Sequence, residues 1–290
     1  CRDTDMMPTD NARFFKSQDG LNLYYRDFGA AHPGTPVLCL PGLTRNSRDF
    51  EDLANRLSDR RRVITTDLRG RGFSDHDPNW ENYHPLTYVN DVWTLLDHLG
   101  IERVIVVGTT LGGLCAKVMA TMQGERVAGV IMNDIGPEIN PAGIARIQEY
   151  AGRVPPVKSW EEALDQSKLI YGEWLPGLSD ADWKKLVWRG YREDVSGIPR
   201  LDIDNRIGEA VRKVGAQKGD PWALFDAFAE IPVTVLWGVL SDILTKDIVD
   251  KMVARKADIE IVPVPNRGHV PLLDEPECTS AIDAFLEGVS

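Results

Sequence analysis

The chain has 290 residues and a formal net charge of −11, with 44 acidic and 33 basic side chains. Hydrophobic residues make up 43% and charged residues 27%, which is typical of a soluble globular protein. The acidic balance argues against nucleic acid or an anionic membrane as a partner. No run of about 18 apolar residues occurs, so no membrane span is predicted. We expect a cytoplasmic protein, a monomer or a homodimer, that acts on a small molecule.

The amino terminus and the cysteines give little sign of processing or of metal binding. Residues 1–5 lack the basic and apolar regions of a signal peptide. Two interpretations of Cys1 stay open: the lipid-bearing residue of a processed lipoprotein, or the first residue of a shortened chain. The remaining thiols, Cys39, Cys115 and Cys278, form no C-x-x-C pair and are expected to be reduced and structural. Neither the cysteines nor the five dispersed histidines show ligand spacing, so no metal or cofactor is predicted.

The predicted elements begin with a hairpin over residues 14–28 that turns at Asp19-Gly20. Short apolar runs rich in β-branched residues follow, as expected of strands buried on both faces. They span 37–40, 62–66, 104–107, 127–132, 233–236 and 259–262. Segments with a period near 3.6 separate most of them, at 47–58, 87–99, 111–123, 246–255 and 276–288. This alternation predicts an α/β fold with a mostly parallel, doubly wound sheet.

One long segment interrupts the alternation after the sixth strand. Residues 136–230 contain no convincing strand and carry five of the eight tryptophans. We predict a helical cap over 136–230, inserted into a core domain formed by 1–135 and 231–290. A cap at this point would cover the carboxyl ends of the strands, where open α/β sheets bind ligands.

The most specific motif lies at the end of the strand predicted over 104–107. Gly108-Thr109-Thr110-Leu111-Gly112 joins that strand directly to an amphipathic helix. Small residues two positions before and after Thr110 allow a sharp turn that presents its hydroxyl, as in a nucleophile elbow. The helix N-terminus that follows favours negative charge at the same point. The motif predicts a nucleophile at Thr110.

Four further segments accompany this elbow. They are Leu38-Cys39-Leu40-Pro41-Gly42-Leu43, Asp67-Leu68-Arg69-Gly70-Arg71-Gly72-Phe73-Ser74, Leu236-Trp237-Gly238-Val239-Leu240-Ser241-Asp242, and Gly268-His269 with Asp274-Glu275-Pro276. Together they resemble the α/β-hydrolase fold superfamily over nearly the whole chain, in the capped esterase and C–C hydrolase type. The resemblance departs at Pro41, where histidine is usual, and at Thr110, where the family has serine.

The resemblance implies a triad of Thr110, His269 and an acid. A hydroxyl needs an adjacent base, and a histidine base needs a carboxylate on its other ring nitrogen. The order hydroxyl, acid, histidine admits two aspartates that follow predicted strands, Asp242 and Asp134. We predict Asp242 because of its Ser241-Asp242 context; Asp134, after the run 127–132, is the alternative. The backbone N–H groups of Leu43 and Leu111 are the expected oxyanion donors.

Threonine at the elbow is a serious departure. A β-branched residue at positive φ is strained, and its methyl group crowds the site. Three explanations stay open: an engineered Ser→Thr substitution that weakens turnover, a natural divergence, or a ligand-binding protein that has lost catalysis. The predicted activity is hydrolysis of a small or medium carboxylic ester or lactone through an acyl-enzyme. The alternatives are a C–C hydrolase of aromatic ring-cleavage products and a non-catalytic small-molecule receptor.

Overall fold

The computed structural model describes residues 11–213 and 220–289, so Cys1 lies outside the described part of the chain. One eight-stranded sheet has the order β1-β2-β4-β3-β5-β6-β9-β10. β1 and β2 pair antiparallel, as do β2 and β4, and the other pairs are parallel. Its strands are β1 Ala12–Lys16, β2 Asn22–Phe28, β3 Val37–Leu40, β4 Val63–Thr66, β5 Val104–Thr109, β6 Val127–Asn133, β9 Val233–Gly238 and β10 Glu260–Val264, with β7 Tyr191–Glu193 and β8 Pro199–Leu201 elsewhere. The predicted fold class is confirmed.

The central strands are buried on both faces, as their apolar runs predict. Every residue of β3, β4, β5 and β6 is buried. Alternate residues of β5 enter different cores: Val104 and Val106 belong to one, and Ile105 and Val107 to the other. Helices must therefore cover both faces of the sheet.

Helices cover both faces of the sheet and also fill most of the segment between β6 and β9. They are α1 Glu51–Leu57, α2 Pro85–His98, α3 Leu111–Gln123, α4 Pro141–Tyr150, α5 Trp160–Tyr171, α6 Asp180–Gly190, α7 Ile207–Lys213, α8 Pro221–Asp226, α9 Lys246–Arg255 and α10 Pro276–Gly288. Buried residues of α2, α3 and α9 pack in one core, and those of α1 and α10 in the other. None of the helices within the described ranges is long and apolar enough to cross a membrane.

The segment between β6 and β9 contains α4 to α8 and, contrary to prediction, two strands. β7 and β8 form an antiparallel pair of three residues each. Asp194 and Gly197, at a φ of 74°, close the turn between them. Strands this short carry too few residues to show a period of two, which is why the pattern did not reveal them. At the far end of the segment, Phe225 and Phe228 join the core cluster that contains α3. The division into core and cap domains stays a prediction.

A buried lysine ties α3 to the exit of β6. Only 3% of Lys117 is exposed, and its Nζ donates to the carbonyl oxygen of Gly136 at 2.8 Å. Burial lowers the pKa of Lys117 from 10.5 to about 8. The contact fixes the chain as it leaves the sheet next to Asp134.

Candidate active site

The turn from β5 into α3 places Thr110 at the carboxyl edge of the sheet. Its backbone has a φ of 48° and a ψ of −101°, the positive φ expected of an elbow. A Cβ on Gly108 would lie 2.5 Å from the backbone of Gly112, and one on Gly112 would lie 2.0 Å from the carbonyl oxygen of Leu40. Only glycine fits at these two positions, so the close approach of strand and helix holds Thr110 in its strained conformation.

His269 lies in the loop between β10 and α10 and contacts the hydroxyl of Thr110. Thr110 Oγ1 and His269 Nε2 are 2.8 Å apart. The loop is fixed on two sides: Gly268 N donates to the carbonyl oxygen of Trp174 at 2.6 Å, and a Cβ on Gly238 would clash with Gly268. The structure therefore brings together the two residues that sequence analysis predicts as nucleophile and base.

The carboxylate beside His269 belongs to Asp134. Asp134 Oδ2 lies 2.7 Å from His269 Nδ1, and the carboxylate is completely buried. The prediction that Asp242 orients His269 is wrong. Asp242 instead accepts two hydrogen bonds, at 2.6 and 2.8 Å, from Arg146 of α4. Thr110, His269 and Asp134 form an unbroken hydrogen-bonded chain.

The surroundings of the two aspartates explain this outcome. Asp134 follows β6, which pairs directly with β5 and so ends beside the elbow. Its φ of 52° turns the side chain into the site, where Gly238 N donates to Oδ1 at 2.9 Å and Ser241 Oγ to Oδ2 at 2.6 Å. Ser241, whose position before Asp242 favours Asp242 in the sequence, thus donates to Asp134 in the structure.

Burial raises the pKa of the Asp134 carboxyl above its ordinary value. Hydrogen bonds from His269, Ser241 and Gly238 oppose that rise by stabilising the charged form. These three donors are what a carboxylate needs to remain an acceptor in a site closed to water.

Asn133 is a further site residue that sequence analysis missed. Its side-chain Nδ2 donates to Thr109 Oγ1 at 3.2 Å and to the carbonyl oxygen of Pro271 at 3.0 Å, and its backbone carbonyl oxygen accepts from Thr110 N at 3.3 Å. The side chain and the backbone of this buried residue together link the elbow, the end of β6 and the histidine loop. Its position immediately before Asp134 was the available signal.

The expected oxyanion donors lie on either side of the hydroxyl. Leu111 is the first residue of α3, directly after Thr110, and Leu43 lies on the wall of the adjacent pocket. A Cβ on Gly42 would lie 3.9 Å from Thr110 Oγ1, so the loop that carries Leu43 passes close to the nucleophile. Their role as oxyanion donors stays a prediction.

A pocket of about 1030 Å³, including the solvent at its mouth, opens over Thr110. Its apolar wall comes from both sides of the sheet edge and from the inserted helices: Phe50, Ile147, Leu175, Leu186, Val270 and Leu272. Tyr150 and Tyr171 stand in T-shaped contact on the same wall. An apolar pocket with a few polar groups is typical of a small-molecule site.

The arginines and the lysine on the pocket wall are held in ion pairs, some of them with residues outside the pocket. Arg45 holds Asp49 through two hydrogen bonds, at 2.5 and 2.7 Å, and donates a third to the carbonyl oxygen of Leu186 on α6. Lys185 and Arg189, also on α6, both contact Asp52 of α1. The wall carries three arginine or lysine side chains and three aspartates, so neither sign of charge is in excess on it. Among residues 11–213 and 220–289, no group of three or more histidines, cysteines or acidic residues could hold a metal ion.

The model of the α/β hydrolase fold family matches residues 35–276. The chain belongs to the α/β hydrolase family. The matched range contains the elbow, Asp134 and His269, so the relay described above is built on the shared part of the fold.

Proteins that are similar to this α/β hydrolase over most of its length include several named as hydrolases. The 3-hydroxybutyrate-oligomer hydrolase of Cupriavidus necator is 31% identical over 276 residues, which cover 91% of this chain and 92% of that protein. The 2-(acetamidomethylene)succinate hydrolase of Mesorhizobium japonicum is 25% identical, over 88% of each. The crystal structure of an α/β hydrolase from Novosphingobium aromaticivorans superposes with a TM-score of 0.89 at 40% identity, over 97% of this chain and all (100%) of that one. The chain is therefore a hydrolase of this fold.

Proposed function

We propose that this protein hydrolyses carboxylic esters through an acyl-enzyme formed on Thr110. The observation that carries the proposal is the continuous relay from Thr110 Oγ1 through His269 to Asp134, with contacts of 2.8 and 2.7 Å. A hydroxyl, a base and a buried carboxylate in this order can generate and discharge an acyl-enzyme. A binding protein would have no need of all three.

In the first half of the reaction, His269 Nε2 takes the proton of Thr110 as its oxygen attacks the ester carbonyl carbon. The N–H groups of Leu43 and Leu111 donate to the oxyanion of the tetrahedral intermediate. Asp134 holds His269 in the productive orientation and stabilises its positive charge. The intermediate then collapses: the bond to the alcohol oxygen breaks, and His269 returns the proton to the leaving alcohol.

In the second half, water replaces the alcohol and His269 takes a proton from it. The resulting hydroxide attacks the acyl-enzyme, and the acid leaves as Thr110 recovers its proton. The α3 N-terminus favours the negative charge at both tetrahedral stages. No cofactor enters either half.

We propose oligomers of short hydroxy acids, such as 3-hydroxybutyrate, as the substrate class. The relative from Cupriavidus necator, whose name gives it this activity, matches the chain nearly end to end. The pocket supports the assignment, because an apolar wall suits the methyl-bearing backbone and the tyrosines can donate to ester oxygens. Other small esters and lactones are members of the same chemical class.

The test compares the protein with its Thr110→Ser variant on esters from acetate to aromatic acids and on 3-hydroxybutyrate dimer and trimer. We expect serine to raise kcat by at least about 10-fold, because it removes a methyl group from a strained elbow and keeps the hydroxyl and its base. His269→Ala in the serine background is the control, and it should abolish turnover with nearly unchanged thermal stability.

Three results would count against the proposal. Turnover that survives His269→Ala would remove the relay from the reaction. A ring-cleavage diketone hydrolysed while every ester is left intact would favour C–C hydrolysis. If neither the threonine nor the serine protein turned over any compound, the protein would be a receptor.

A further inference from the structure

Arg71 is a buried cation with no carboxylate partner among the residues that the structure describes. It lies in the loop after β4, and none of its side chain is exposed (0%). Within residues 11–213 and 220–289, no acidic side chain lies within 4.0 Å of its guanidinium. Arg69, two residues earlier and equally buried, contacts Asp77 and Asp91 at 2.5 and 2.6 Å. Burying an unpaired charge is expensive, so Arg71 stands out from its neighbour.

Neutral groups hold Arg71 in place. Nη1 donates to the carbonyl oxygen of Arg69 and to Tyr88 Oη, both at 2.8 Å. The guanidinium carbon lies 4.8 Å from the ring centroid of Tyr88 and 5.8 Å from that of Tyr83. Nη2 is buried and has no hydrogen-bond partner in the described part of the chain. These contacts fix the cation without neutralising it.

The remaining donor of Arg71 contacts the loop that carries Leu43, one of the two predicted oxyanion donors. Arg71 Nε donates to the carbonyl oxygen of Leu43 at 2.9 Å. On the other side, the charge of Arg71 opposes the rise that burial causes in the pKa of Cys115, which reaches about 12. The guanidinium thus lies within electrostatic range of the first turns of α3, the helix that begins at Leu111.

We propose that Arg71 is a positioning residue of the oxyanion site, which holds the Leu43 loop in place and supplies an uncompensated positive charge behind it. The inference rests on the proposed ester hydrolysis. In the ground state its described hydrogen-bond partners are all neutral groups. When the carbonyl oxygen of the substrate becomes an oxyanion in front of the Leu43 loop, the buried cation stabilises it through a low-dielectric interior.

The experiment uses the Thr110→Ser protein as parent and adds Arg71→Met or Arg71→Lys. Methionine removes the charge and all donors, whereas lysine keeps the charge and loses the planar fork. Arg62→Met is the matched control: Arg62 is also a largely buried arginine, but it pairs with Asp27 at the β2–β4 contact. For each variant we would measure kcat, KM, the thermal midpoint, and the Kd of an alkyl boronic acid that forms a tetrahedral adduct with the serine.

We expect Arg71→Met to lower kcat and weaken boronate binding by on the order of 100-fold each, with KM changed less than about 3-fold. Arg71→Lys should fall between it and the parent. Arg62→Met should lower the thermal midpoint alone. If Arg71→Met and Arg71→Lys lose no more kcat and boronate affinity than Arg62→Met, Arg71 is structural. A parent that neither hydrolyses an ester nor binds the boronate would contradict the proposed function itself.

Discussion

Each of the neighbouring strands β6 and β9 is followed by an aspartate, Asp134 directly after β6 and Asp242 four residues after β9, and the two carboxylates have opposite surroundings. Asp134 is completely buried and faces His269 at 2.7 Å. Asp242 is partly exposed and is held by Arg146. The comparison shows that position at a strand end is not enough to make an orienting acid. The carboxylate must also be free of a cation, so that its charge remains available to the histidine.

The two aspartates are nevertheless linked. Ser241 and Asp242 are consecutive, and Ser241 Oγ donates to Asp134 while it accepts from Ile243 N and Leu244 N at 3.1 and 3.0 Å. The turn after β9 therefore supports the acid at the end of β6. Meanwhile the Arg146–Asp242 pair connects that turn to α4 of the inserted segment.

The largest loss of kcat is expected when the Asp134 carboxylate is replaced by an amide. In the Thr110→Ser background, Asp134→Asn should cost on the order of 10⁴ in kcat, because it leaves the wrong histidine tautomer and no counter-charge. Asp242→Asn should cost about 3-fold at most, since its partner is Arg146. Steady-state kinetics of the two variants decides the comparison, and a larger loss for Asp242→Asn would reverse it.

A smaller loss of kcat is expected at Ser241, which lies in the turn after β9 and donates to Asp134 after β6. Ser241→Ala removes one donor to Asp134 and should lower kcat by about 10-fold, the equivalent of a single hydrogen bond to a charged group. The matched control is Thr245→Ala, four residues on, whose hydroxyl contacts the exposed Asp247. If both variants keep full kcat, the serine has no part in orienting the acid.

Replacing Arg146 should have the smallest effect on kcat and a clear effect on stability. Arg146→Met leaves Asp242 without its cation in a half-buried position, so we expect a loss of about 1–3 kcal/mol in unfolding free energy and less than about 3-fold in kcat. Chemical denaturation and kinetics on the same preparation would check both. A drop in kcat to the level of Asp134→Asn would mean that the Arg146–Asp242 pair contributes to the relay.

The sequence was informative where local pattern and glycine geometry decide the structure. The bounds predicted for α3, α9 and α10 agree with the structure, and the elbow and His269 come together as their motifs predict. The acid could not be predicted, because both strand ends carry aspartate. What separates them is Arg146, which lies 96 residues from Asp242 along the chain. Contacts over such separations leave no periodicity in the sequence.

The buried Lys117 has a consequence for behaviour in alkaline solution. Because its pKa falls from 10.5 to about 8 in the folded chain, the unfolded chain binds more protons between these values. The free energy of unfolding should therefore rise with pH across that interval, by at most about 3 kcal/mol from this group, and gain nothing from it below pH 8. A Lys117→Met variant should lack this alkaline gain, which thermal melts from pH 7 to pH 10 would reveal. The helix behind the nucleophile is thus anchored by an amine whose burial costs least in alkaline solution, where it is uncharged.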